Sequence, residues 1–138
     1  MTDAERSETT LKDAQKAMQA GDFASAAAMA QAILDRQPND QDALYIAAVC
    51  ARYEGRHGDA ADRLAELKTA APDFGRAFQE EGHLKRKLGD KSGALRAYEL
   101  ATRFNPALLA SWNAQADLNA AFGNEEAAAS ARDQAERL

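Results

Sequence analysis

Apolar residues recur along this chain at helical spacing. From Gly75 to Pro106 it reads GRAFQEEGHLKRKLGDKSGALRAYELATRFNP. Phe78, Gly82 and Leu88 mark one helix there. Ala94, Ala97, Tyr98, Ala101 and Phe104 follow an i, i+3, i+4, i+7 pattern on the next. The same alternation of two helical stretches and a short polar turn occupies nearly the whole sequence. It predicts helices near residues 7–20, 23–36, 41–54, 58–70, 75–88, 91–104, 109–122 and 125–138. Helices of this length are marginal alone, so each pair is expected to gain stability by stacking on its neighbours. The fold class expected is all-α, a solenoid of four helical hairpins, with residues 1–6 as a polar tail.

The hairpins are copies of one unit. Glycines stand at Gly21, Gly55, Gly89 and Gly123, and prolines at Pro38, Pro72 and Pro106, each 34 residues after the last. Ala26, Ala60, Ala94 and Ala128 keep the same step. So does a column of small residues: Ala14, Ala48, Gly82 and Ala116. The units are Ser7–Asp40, Gln41–Phe74, Gly75–Leu108 and Leu109–Leu138, read together as one domain over residues 7–138. Each column has a physical reason. The glycine ends the first helix in a conformation with positive φ. The proline stops the second helix and presets the turn that follows. Small residues let two helix axes approach closely. Asp22, Asp90 and Asn124 follow their glycines and are expected to cap the second helices. The second unit departs, with Arg56 and His57 after Gly55, so its second helix is expected to start later under Asp59.

Composition narrows the class further. Alanine, the best helix former, is roughly a quarter of the chain. Hydrophobic residues make up 46% and charged residues 28%, compatible with a buried core and a charged surface. The net charge of −5 and pI near 5.0 argue against nucleic-acid or anionic-membrane partners, which need a cationic surface. A single cysteine forms no internal disulfide, which suits a reducing, cytoplasmic setting. The N-terminal MTDAERSETT lacks the basic and apolar regions of a signal peptide, and no apolar run is long enough for a membrane span.

These residues resemble the tetratricopeptide repeat family over Ser7–Leu138. The family pattern is Trp, Leu-Gly, Tyr, then Ala, Phe and Pro over 34 residues. Unit three supplies Phe78, Gly82, Ala94, Tyr98 and Pro106, with Glu81 and Lys85 where the pattern wants Leu and Tyr. Unit two supplies Leu44, Ala47, Ala48, Ala51, Ala60, Leu64 and Pro72. Unit four supplies Trp112, Ala116 and Ala128 but carries Gln115, Asn119 and Arg132 at apolar positions. Unit one has Thr10 and Asp13 there. Such substitutions look like end effects, because outer units lack a second neighbour. The resemblance implies a right-handed superhelix with a concave groove, a scaffold that binds a peptide or helical segment of a partner, and no enzymatic activity of its own.

No residues read as catalytic, and no cofactor is implied. Gly-Asp-Lys at 89–91 lacks the spacing of a phosphate loop. Cys50, His57 and His83 occupy unrelated places in the repeat, so no metal site is expected, and Cys50 reads as a small core residue. In the family, one face of each first helix lines the groove. Carried onto this chain, that face offers Tyr45, Val49, Arg52 and Tyr53 in unit two, Arg76, Gln79, His83, Arg86 and Lys87 in unit three, and Asn113 in unit four. Tyr45, Val49 and Tyr53 form an apolar strip, and the cations favour an acidic ligand. The same residues admit a structural role: last-turn cations offset the helix dipole by about 0.3–1 kcal/mol, and the tyrosines can pack on neighbouring helices. The site is expected where units two and three meet. Chaperone-tail-binding members use a carboxylate clamp of Lys, Asn and Arg. The matching places here are Leu11, Gln15, Ile46, Arg76 and Glu80, of which only Arg76 fits.

Two alternatives stay open. The Ala-rich last helix suits a non-catalytic N-terminal repeat region of a larger enzyme, such as bacterial sulfotransferases and glycosyltransferases carry. It also suits homo-oligomerisation through that helix, along a seam of Ala128, Ala131, Ala135 and Leu138.

Overall fold

The structure, a computed structural model, describes the backbone of residues 3–138 and the side chains of residues 10–138. The described residues form eight helices: α1 (Asp3–Gln19), α2 (Phe23–Arg36), α3 (Gln41–Tyr53), α4 (His57–Ala70), α5 (Gly75–Lys87), α6 (Lys91–Phe104), α7 (Leu109–Ala121) and α8 (Glu125–Glu136). The main departure from expectation is α1. It begins at Asp3, so residues 3–6 of the expected tail are helical, and residues 1 and 2 lie outside the described residues. Ala4, Glu5 and Arg6 are good helix formers with no breaker among them.

Each hairpin turns in the same way. Gly21, Gly55, Gly89 and Gly123 have φ of 81°, 77°, 86° and 80°. The following N–H reaches back five residues: Asp22 to Ala17, Arg56 to Ala51, Asp90 to Lys85 and Asn124 to Asn119, at 2.8–2.9 Å. This is a Schellman end, and an L side chain at the glycine would be strained in it. The prolines act one step later. Gln37, Ala71 and Asn105 precede them with φ of −134°, −140° and −143°, the extended geometry that proline imposes on its predecessor.

Two of the expected caps form. Asp22 accepts from Ser25 N at 3.3 Å and Asp90 from Gly93 N at 2.9 Å. Asn124 makes no side-chain cap bond. In the second hairpin α4 starts at His57, not later, with Arg56 as an N-cap that makes no side-chain cap bond. Asp59 lies inside the first turn and accepts instead from Arg56 at 3.0 Å, which removes it from capping.

The chain divides into two compact units, Met1–Pro72 and Asp73–Leu138. In the first, Ala14, Ala26, Ala30, Ile46 and Cys50 form a core that Leu11, Met18, Phe23, Met29 and Tyr45 cover. In the second, Ala94, Tyr98, Ala114 and Leu118 form the core. The small column is buried throughout, at Ala14, Ala48, Gly82 and Ala116. At Gly82 the space is fully taken: a Cβ there would lie 2.7 Å from the Tyr98 ring.

Candidate functional site

The first-helix residues expected to line a groove fall in both compact units, and each set is built from its own helices. In the first unit, α3 carries four of them. Val49 is buried at 6% exposure, and Tyr45 is half-buried against the Ala14–Cys50 core. Tyr53, in the last turn, is 58% exposed. Of the expected apolar strip, Tyr53 is thus the exposed member. Its ring stacks on Phe23 of α2, with centroids 4.4 Å apart and planes 7° from parallel. The Arg52 guanidinium lies 4.4 Å from the same ring. Cation–π contact fixes a planar fork of donors at the end of α3. Phe23 was absent from the sequence-derived set, because nothing local in the sequence brings residues 23 and 53 together.

In the second unit, α6 packs on both α5 and α7, and side chains of α5 reach α7. Gln79 accepts from Ser111 Oγ at 2.7 Å. His83 Nδ1 lies 2.6 Å from the Tyr98 hydroxyl, and the two rings meet edge-on. Arg86 approaches Asp117 at 3.8 Å, a long and exposed pair of little energetic weight. Arg76, Lys87 and Asn113 are exposed. Gln79 and His83 therefore act as struts between helices, while Arg76 and Lys87 present cationic heads.

Beneath this face lies a polar network. Gln115 is buried at 7% exposure and donates to the Tyr98 carbonyl at 3.0 Å and to Thr102 Oγ1 at 2.9 Å. Gln115 is thus a satisfied core residue rather than an end effect. The two departures of unit three, Glu81 and Lys85, pair with each other at 3.5 Å one helical turn apart.

The remaining chemistry is quiet. Cys50 is fully buried, and burial pushes its thiol up to about 11, with Glu54 adding to the shift and Arg56 opposing it. Among the described residues no group of three or more His, Cys, Asp or Glu could hold a metal ion, and no helix is long and apolar enough to cross a membrane. Ala128 and Ala131 of α8 are buried in the second unit, at 0% and 4% exposure. The expected self-assembly seam is therefore already half covered from within the chain.

Solved structures place the fold. The crystal structure of MamA matches 98% of this chain and 79% of its own, with a TM-score of 0.81 at 18% identity. TTC0263, a thermophilic tetratricopeptide repeat protein of Thermus thermophilus, matches 96% of this chain and 74% of its own at a TM-score of 0.80 and 20% identity. The first repeat domain of Spaghetti (RPAP3), bound to the HSP90 peptide SRMEEVD, matches 88% and 97% at 0.77 and 14%. No protein-family profile and no curated protein matches the sequence. The chain has the tetratricopeptide repeat fold.

Proposed function

We propose that this chain is a protein-interaction scaffold that binds an acidic peptide or helical segment of a partner on the first-helix faces of its hairpins. The observation that carries this is the fold: four helical-hairpin repeats of a type that, in the RPAP3 structure, holds a peptide. The exposed chemistry on those faces supports an acidic ligand. Arg52 is fixed on the Tyr53 ring, and Arg76 and Lys87 extend from α5. Arg86 contributes less, because Asp117 stands beside it. The ligand need not be a chaperone tail. Of the five places matching the family's carboxylate clamp, Ile46 and Glu80 are buried at 1% and 4%, and Arg76 is the one cation. No catalytic role is proposed.

The test is selection of a displayed random-peptide library on the full chain. Enriched peptides should be acidic, and titration calorimetry should show binding weakened at least about tenfold by Arg76→Glu with Lys87→Glu, one such loss being about 1.4 kcal/mol. Arg96→Glu with Arg103→Glu, on α6, should leave binding unchanged. Equal loss in both variants would remove the reading.

A further inference from the structure

The second unit has an exposed edge that shares only Lys87 with the peptide-binding face. Helices α5 and α7 both end there, and α6 and α8 both begin there, because each hairpin turns within three residues. The C-cap residues are Leu88 and Phe122, 58% and 43% exposed. They occupy the same place in consecutive repeats. The equivalent residues of the first unit are Ala20 and Glu54, both also exposed. The turn itself therefore asks for no apolar side chain at this position, yet two consecutive repeats each expose a large one there.

Charge is divided along this edge. On the α5 side, exposed Lys87 and Lys91 flank Leu88 with exposed Asp90 between them, leaving that turn net positive. On the α8 side, exposed Glu125 and Glu126 follow Phe122 and line an open depression of about 630 Å³ with Asn124, Ala127 and Ser130. Taken turn by turn, a net-positive end carrying leucine is followed by an acidic end carrying phenylalanine. A two-fold rotation reverses that order and sets each cationic end against an acidic end, with the apolar pair at the centre. This is the self-complementary pattern of an isologous interface.

We propose that this edge is a homodimerisation surface: Leu88 of one copy, with Lys87 and Lys91, enters the acid-walled depression beside Phe122 of a second copy, and the reverse contact forms across the axis. The patch is small, so the association is weak, with a dissociation constant of roughly 10 μM to 1 mM. It involves neither α3 nor the exposed face of α7 at Asn113, shares Lys87 with the peptide-binding face, and is read without any peptide present.

The experiment is sedimentation equilibrium of the full chain at low salt, over concentrations that bracket that range. The wild type should self-associate to a dimer. The double reversal K87E/K91E and the double reversal E125K/E126K should each lower association at least about tenfold, and an equimolar mixture should restore it, because each variant repairs both contacts of the other. L88S/F122S, which leaves helix-end charges alone, should also abolish association, and circular dichroism on every variant checks that the helices persist. A wild type monomeric throughout, or two reversed variants whose mixture stays monomeric while each is folded, would overturn the proposal.

Discussion

Replacing Gly82 with alanine sets two opposing effects against each other, and the packing around Tyr98 decides the sign. Alanine in a helix interior is favoured over glycine by about 0.8–1.0 kcal/mol. At Gly82, however, the new Cβ would sit 2.7, 2.8 and 2.9 Å from Cε1, Cδ1 and Cζ of Tyr98. All three are ring atoms of a fully buried residue whose hydroxyl bonds His83 and whose carbonyl bonds Gln115, so the ring has no low-cost direction of retreat. Overpacking of this kind costs about 1–3 kcal/mol. The net effect expected is destabilisation of about 1 kcal/mol, measured by urea denaturation followed by circular dichroism. The sharper test is the background. With Tyr98→Leu already in place, the obstructing ring is gone and Gly82→Ala should stabilise, reversing sign. Equal effects in both backgrounds would refute the packing argument.

Other consequences follow from single contacts. Asp90→Ala removes the cap bond to Gly93 N and should cost about 1 kcal/mol, whereas Asn124→Ala, at the same place in the next hairpin, removes no cap bond and should stay within about 0.5 kcal/mol in the same denaturation assay. Gln115→Leu takes a donor from the Tyr98 carbonyl and from Thr102 and should cost about 1–3 kcal/mol, again by denaturation. Cys50 should resist thiol reagents at pH 8 in the native chain and react on unfolding. Since its thiol is raised from 9.0 to about 11, the unfolded chain deprotonates first, and stability should fall as pH climbs from 9.0 through about 11.

What the sequence disclosed were the features written in the backbone. A glycine every 34 residues needs positive φ wherever it stands, and a proline fixes its predecessor, so the hairpin turns and helix ends were legible from single columns. Side-chain fate was less so. Gln115 looked like an intruder at an apolar position, and only the meeting with Tyr98 and Thr102, 17 and 13 residues away, makes it a core residue. Asp59 looked like a cap until Arg56 claimed it. The proposed face shows the same limit. Its stripe was readable from helical spacing, but Val49 turned out buried, Gln79 and His83 became struts to Ser111 and Tyr98, and Phe23 joined Tyr53 from a different helix. Such pairings depend on which helices pack together, and spacing along one helix carries no record of that.

The proposal that the first-helix faces bind peptide is tested most directly by nuclear magnetic resonance. An enriched acidic peptide would be titrated into isotope-labelled full chain, with amide shifts followed residue by residue. Shifts concentrated at Arg52, Tyr53, Arg76, Lys87 and Asn113 are expected, with Arg96 and Arg103 on α6 unmoved. Shifts centred on α4 and α6, with the α3 and α5 residues silent, would contradict it.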